Sequence, residues 1–455
     1  MVHASPPYYK RMALSGPVPP SSLGIHLIDF PYHLYTLIES LRMIVTAWVV
    51  LVGILFHLYM KYGCRISSLC RDSNFHVDGP RSESKVETES FNKSNTLRGR
   101  ALANQKLCTV FGISNAFTND HQGEVERFVR DTRSLLRLSP GDWEQLSYVT
   151  CASARRTLNV NASSASGVLL VNLVQILTLR VVLHVLFAMK DEAIHTPDDS
   201  LVELASKINK AWLQSKDSSE MQPFEENVSL QKSITAIFPK ADRLHGAENP
   251  LNLILPGFET MWRISLRVFL EVGFKTGLRN PHWREMLAAF ARQPTKSEFE
   301  RRSHCGVSAS MLIHEALRLY PPTRRIYRAD DSVDSTSKEM FAFDVEASHH
   351  ETSAWGSTAT EFNPERWTGL TPRQRCAFRP FGVKPFICPA QIEFGPRAIA
   401  LIVGALFVEL GDQWRLAPDG DGILDLASPT RLNNERAGYN GLFLKNTAGS
   451  HYYNY

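Results

Sequence analysis

Apolar positions along the chain follow three patterns. The first is an unbroken run, Met43–Met60 (MIVTAWVVLVGILFHLYM), without a formal charge. As a helix its eighteen residues would extend about 27 Å at ~1.5 Å each, close to the hydrocarbon thickness of a bilayer. Trp48 and Tyr59 fall where interfacial aromatics belong. Lys61, Arg65 and Arg71 follow the run, while only Arg42 closely precedes it. The pattern predicts a single transmembrane anchor with the C-terminal bulk facing the cytoplasm. A buried core helix is the other reading. The run starts too far from the N-terminus for a cleaved signal and lacks a small-residue end.

The second pattern is helical spacing. Glu124–Leu138 repeats Val125, Phe128, Val129, Thr132 and Leu135 on one face, and Asp142–Leu158 follows the start signal Ser139-Pro-Gly-Asp. Leu201–Ser215 is also amphipathic. Val168–Met189 is almost wholly apolar but carries Asn172, Gln175, Arg180 and His184. Each would need a partner in lipid, so a buried helix of a large helical domain fits better than a second span. Leu251–Phe274 is long enough for a central helix, with Pro256-Gly257 inside it and Glu259-Thr260 directly after. Proline there either kinks the helix and opens a groove or marks its start. Met311–Leu319 ends at Tyr320-Pro-Pro, and Ile399–Leu410 is another apolar helix.

The third pattern, short alternation, is confined to Tyr327–Asp331, Phe341–Ala347 and Leu416–Leu444. The fold class is therefore mainly α with a small β-sheet subdomain (α+β). Residues 1–42 read as a Pro/Ser-rich tail, 43–60 as the anchor, 61–104 as a polar linker or abbreviated N-terminal region, and 105–455 as the globular domain. Arg431 and Arg436 read as solvated, and Leu424–Pro429 as a loop, which the family resemblance described below would bring back to a substrate pocket.

Composition adds exclusions. A net charge of +4 on 455 residues gives no reason to invoke nucleic acid. The seven cysteines are scattered and form no C-x-x-C pair, which argues against a disulfide framework or zinc site and for a reducing compartment. One of them stands apart. Cys388 ends the Gly/Pro-punctuated loop Arg379-Pro-Phe-Gly-Val-Lys-Pro-Phe-Ile-Cys-Pro-Ala, shortly before an apolar helix. A helix N-terminus lowers a thiol pKa, so a thiolate for nucleophilic or metal chemistry is one reading and a buried structural cysteine the other. Glu315 and Arg318 lie three residues apart on one helical face, and Arg366 follows within Asn363-Pro-Glu-Arg-Trp.

In this order, the broken helix with Gly-Phe-Glu-Thr, the Glu-x-x-Arg helix with Pro-Pro, Asn-Pro-Glu-Arg-Trp, and the Phe-Gly…Cys-Pro loop resemble the cytochrome P-450 haem-thiolate monooxygenases over about residues 105–445. LNLILPGFETMW and PFGVKPFICPA resemble filamentous-fungal enzymes of secondary metabolism (terpenoid, polyketide or alkaloid). The resemblance implies the P-450 fold with one N-terminal transmembrane helix and haem b with Cys388 as axial iron ligand. Phe381 would pack near the sulfur. Glu315, Arg318 and Arg366 would form a buried ionic triad. Thr260 would hydrogen-bond dioxygen at the iron, Glu259 would relay protons, and Gly257 would leave room for oxygen. It also implies NADPH electrons through NADPH-cytochrome P-450 reductase, an apolar small-molecule substrate, and a single-pass endoplasmic-reticulum location with the catalytic domain in the cytoplasm. The loop departs from the family pattern at Lys384, Phe386 and Ala390. With the usual loop arginine absent, Lys384 or Arg379 would meet a haem propionate, with Arg127 or Arg130 standing in for a missing Trp-x-x-x-Arg. A reductant-independent isomerase or dehydratase and a catalytically inactive tethered member are the alternatives.

Overall fold

A computed structural model describes Met43 and residues 89–162, 167–190, 192–241, 244–331, 339–411, 413–418, 426 and 430–447. Beyond Met43, the anchor segment Met43–Met60 lies outside the described residues, as does most of Leu424–Pro429. Among the described residues no helix is long and apolar enough to cross a membrane. The helices and strands of residues 89–447 belong to one compact unit, Pro80–Tyr455.

The principal helices are α1 (Leu97–Ala103), α2 (Gln122–Leu135), α3 (Pro140–Val160), α4 (Leu170–Leu186), α5 (Asp198–Gln214), α6 (Leu251–Phe274), α7 (His282–Arg292), α8 (Ala309–Leu319), α9 (Val345–His350) and α10 (Gly395–Leu410). Local chemistry sets their starts. Ser139 Oγ accepts the Asp142 N–H at 3.2 Å, the Asp142 carboxylate accepts the Ser139 N–H at 3.1 Å, and Pro140 occupies the first turn of α3. Ser308 caps α8 by accepting the Met311 N–H on its hydroxyl.

The nearly continuous apolar stretch becomes α4, buried along its length except at Asn172. Its one formal charge is resolved internally. Arg180 donates to the carbonyls of Ala193, Ile194 and Thr196 and to the carboxylate of Asp198. The helix thus lies in a protein core, as its four polar residues require. α6 is continuous from Leu251 and carries Pro256 within its second turn, so proline does not start it.

The strands form two small sheets. β2 (Arg325–Ala329) pairs antiparallel with β3 (Met340–Asp344) in the register Arg325↔Asp344. The short β1 (Val168–Leu169) and β4 (Trp414–Pro418) flank β5 (Leu442–Asn446), both antiparallel. The mainly helical, α+β expectation agrees with this arrangement.

Residues 89–93 and α1 are helical, within the stretch 61–104 that the sequence reads as a polar linker or an abbreviated N-terminal region, so helical structure begins before residue 105. Phe91 and Arg100 are buried. At Gly99 a Cβ would sit 2.2 Å from the Ser94 carbonyl oxygen and 2.9 Å from that of Ala329, so α1 packs on β2 backbone to backbone. The polar residues of this stretch are used in contacts with later parts of the chain, which the local pattern does not reveal.

α10 packs most extensively on α7. Gly404 makes that approach possible: a Cβ there would lie 2.2 Å from the Leu287 carbonyl oxygen and 2.9 Å from Ala291 Cβ. Gly404→Ala is expected to destabilise the chain by about 1–3 kcal/mol through overpacking, despite the better helix propensity of alanine. Thermal or denaturant melting checks this.

Candidate active site

Glu315 is fully buried and fully satisfied. Arg318 grips it with two bonds, Nε to Oε2 at 2.9 Å and Nη2 to Oε1 at 2.8 Å. Arg366 Nε adds a third at 3.1 Å. The Trp367 indole N–H and the Asn363 backbone N–H donate to the same carboxylate at 3.0 and 2.9 Å. Arg318 spends its remaining donors on the carbonyls of His349, Ala359 and Glu361, and Arg366 donates to those of Trp355 and Thr358. One carboxylate therefore ties α8 to the segment 355–367. Deleting Arg318 would strip the buried carboxylate of two bonds and leave three carbonyls without their donor, a cost on the order of 3–5 kcal/mol.

His349 carries this cluster to the cysteine loop. Its Nδ1 lies 3.0 Å from the Arg318 carbonyl oxygen and its Nε2 accepts the Arg379 backbone N–H at 2.8 Å. Nδ1–H must then be the donor, so the ring is neutral. Phe378 stacks on His349 and meets Trp367 edge-on at 4.6 Å between centroids. The first residue of the loop is thereby fixed against α8. Within the loop, Gly382 takes φ +94°, and a Cβ there would meet the Phe386 carbonyl oxygen at 2.9 Å. The Cys388 N–H closes onto the Phe381 carbonyl at 2.9 Å. The loop thus folds back so that Cys388 and Phe381 are neighbours.

α10 begins at Gly395, seven residues after Cys388, and turns fill the interval. A helix N-terminus therefore does not lower this thiol. Burial pushes it above its ordinary value, opposed only by the hydrogen bond with the Ala390 backbone. A thiol held in this way becomes a thiolate when a cation binds it. Among the described residues no group of three or more His, Cys, Asp and Glu side chains could hold a metal ion.

The positive charge beside this loop comes from residues that no sequence motif marks. Arg100 of α1 stacks 4.0 Å from the Phe386 ring centroid, and Arg328 of β2 lies 5.3 Å from the same ring. Both are buried, and burial lowers each to about 10. Arg100 Nε and Nη2 are buried without a hydrogen-bond partner. Arg328 is held by Asn95, whose amide also donates to the Lys384 carbonyl. Among the described residues neither guanidinium pairs with a carboxylate. Two buried cations thus flank one ring, two residues before Cys388, with no anion among the described residues. By contrast, Lys384, Arg127 and Arg130 are exposed, and Arg379 meets His349 through its backbone. Phe386, at the position of the absent loop arginine, is the platform on which these two arginines converge.

On α6, Thr260 Oγ1 lies 3.5 Å from the Pro256 carbonyl oxygen. Glu259 is buried and pairs with Arg436, so Arg436 is not solvated as the sequence suggested. Arg431 is exposed, as the sequence suggests, and its guanidinium contacts Glu346 and His350 at the surface. Gly257 does not open a space for oxygen. A Cβ there would meet Leu186 and Val182 of α4 at 3.1 and 3.2 Å, so its role is to let α4 approach α6.

The described fold matches a crystal structure of the cytochrome P450DA heme domain with a TM-score of 0.51 and 16% identity, covering 79% of this chain and 83% of that one. The fold is that of a cytochrome P450 haem domain. Part of the sequence is also similar to curated P450 proteins. It is 30% identical to cytochrome P450 72A397 of Kalopanax septemlobus over 156 residues, which is 30% of this chain and 29% of that protein. It is 32% identical to secologanin synthase 1 of Catharanthus roseus over 127 residues (25% and 24%), and 34% identical to 11-oxo-beta-amyrin 30-oxidase of Glycyrrhiza uralensis over 128 residues (25% and 24%). The chain spans about three tenths or less of the length of these relatives. All three are plant proteins, so they do not carry the fungal assignment. No protein-family model matches the chain.

In the P450 fold the neutral His349 carries a pH signature. Burial holds it at about 3, and burial with Arg431 nearby holds His350 at about 4. Unfolded, both titrate near 6.5. Between those values the unfolded chain binds more protons, so stability is full above about pH 6.5 and falls as pH drops, by up to about 1.4 kcal/mol per unit for each ring. His349→Asn is expected to flatten that slope between about pH 6.5 and 5 in denaturant melts, above the range where carboxylates titrate.

Proposed function

We propose that this protein is a haem-thiolate monooxygenase that inserts one oxygen atom into an apolar small molecule. One observation carries the reading: Cys388 is presented by a loop locked to the Glu315–Arg318–Arg366 cluster, beside two buried guanidinium groups that have no anion among the described residues. Haem b fits that set. Its iron would take the Cys388 sulfur, and its two propionates would meet Arg100 and Arg328. When bound, the haem supplies the reductive activation of dioxygen, and thiolate ligation favours O–O cleavage.

The chain's own residues do the rest. The triad and His349 orient the loop so that the sulfur has one position. Phe381 covers the sulfur side, and Phe386 holds the propionate-binding arginines. Glu259 and Thr260 supply a proton route along α6, with Thr260 Oγ as the last donor. The atoms balance as substrate R–H, O2, NADPH and one proton giving R–OH, water and NADP⁺, with the electrons delivered by a cytochrome P-450 reductase. The Met43–Met60 run supports a membrane-anchored, endoplasmic-reticulum enzyme with its catalytic part in the cytoplasm. The PGFETMW and PFGVKPFICPA motifs support a place in fungal secondary metabolism.

Reduced protein exposed to carbon monoxide is expected to give the thiolate-haem band near 450 nm, roughly the family value. Cys388→Ser abolishes it and Cys376→Ser keeps it. No haem signal in the wild type would sink the proposal, and NADPH-independent turnover would favour an isomerase or dehydratase. Arg100→Met is expected to act in two opposite directions. It relieves an unpaired buried cation, raising the melting temperature of the haem-free chain, and it weakens haemin retention on a desalting column about tenfold or more. Unchanged retention would remove Arg100 from the site.

A further inference from the structure

Cys305 and His282 meet at the surface, and neither belongs to the Cys388 loop or the Glu315 cluster. His282 is the first residue of α7, and Cys305 lies in the turn 301–307 that leads into α8. Backbone hydrogen bonds hold that turn. The Ser303 N–H donates to the Val307 carbonyl at 2.8 Å and the Gly306 N–H to the Ser303 carbonyl at 2.9 Å, and Gly306 takes φ +80°. A left-handed residue lets the chain reverse directly after Cys305. The start of α7 is held separately. The Trp283 N–H donates to the Asn280 carbonyl at 3.0 Å, and its buried ring packs on Phe362 with centroids 5.9 Å apart. The His282 ring lies between those of Trp283 and His304, at 6.1 and 5.4 Å. Thiol and imidazole therefore come together from two segments that are each fixed.

The contact is direct. Cys305 Sγ lies 2.9 Å from His282 Nε2 and 2.9 Å from Ser303 Oγ. Among the described cysteines only Cys305 is exposed. The thiolate, not the thiol, is the nucleophile, and an ordinary cysteine is only a few per cent thiolate at pH 7. His282 stands where it can take the proton, after which the sulfur accepts from the imidazolium N–H and from the Ser303 hydroxyl. A nucleophile beside its base is the arrangement that covalent chemistry needs. Exposure selects what it meets, a small electrophile from solution, and a disulfide is one that a thiolate attacks reversibly. We infer that Cys305 is a modification site that forms a mixed disulfide with small-molecule disulfides such as oxidised glutathione. The Cys305 proton passes to His282 Nε2. A bond forms from Sγ to one sulfur of the disulfide as the disulfide's own S–S bond breaks, and the departing thiolate takes the proton from His282. Cys305 is oxidised and the departing half reduced, so no further oxidant is needed. The inference does not rest on the monooxygenase reading.

The test incubates the purified full-length chain with oxidised glutathione at pH 7. Samples are quenched with acid over time, and the glutathione carried by each cysteine is read by peptide mass spectrometry. Cys305 is expected to be modified, and dithiothreitol to reverse it. His282→Gln keeps a hydrogen-bonding side chain and removes the base, and is expected to slow modification of Cys305 about tenfold. A slowing of less than about threefold would show that exposure alone sets the rate and would overturn the inference. Unfolding in urea supplies a second readout that needs no variant, because it exposes every cysteine and separates Cys305 from His282. The Cys305 rate is expected to fall on unfolding to that of Cys108 and Cys376 in the same chain. A rate that holds or rises on unfolding would overturn the inference, whether or not His282→Gln folds. Since only Cys305 is read, loss of the carbon monoxide band would take down the monooxygenase reading and leave this inference standing.

Discussion

The fully buried carboxylate of Glu315 is the interaction on which the site depends. An ionised carboxylate in a protein interior is costly unless every lone pair is used. Here two arginines, an indole and a backbone N–H use them. The donors come from α8 itself and from the turn at 363–367, so satisfying one charge fixes these two together and, through the Arg318 carbonyl and His349, the start of the cysteine loop. The energetic gain of such a cluster over an apolar core is small or absent. Its effect is specificity: a loop rich in Pro and Gly acquires one conformation because its foot is pinned.

Electrostatics around that loop are unbalanced in a consistent direction. The Cys388 thiol is pushed up by burial, which favours its neutral form. Arg100 and Arg328 are buried cations whose charge nothing described offsets. The unpaired guanidiniums are the unfavourable part, and a ligand bringing carboxylates to them and a metal cation to the sulfur would relieve it. The opposite case lies on α6, where Glu259 already has its counter-charge in Arg436 and only one oxygen is left to act.

Much of this is legible in the chain, for identifiable reasons. Helices α3 and α8 announce themselves through local periodicity and caps, α6 and α10 through their apolar patterns, and the triad residues through short fixed spacings. The buried status of α4 follows from counting polar residues that lipid could not satisfy. What is not legible depends on distant partners. Arg100 and Arg328 meet at Phe386 from far earlier in the chain, and Arg436 reaches a carboxylate 177 positions earlier. Nothing local distinguishes these arginines from solvated ones. Gly257 suggests space for oxygen only until α4 is seen to fill its open side. The Cys388 thiol escapes the helix dipole because six residues of turn separate it from α10.

The central claim is that Cys388 holds iron. X-ray absorption at the iron edge of the purified, haem-containing protein tests it directly, because it counts sulfur atoms around the metal. One sulfur scatterer in the first shell, lost in Cys388→Ser, is the expected result. A shell of nitrogen and oxygen alone in the wild type would contradict it.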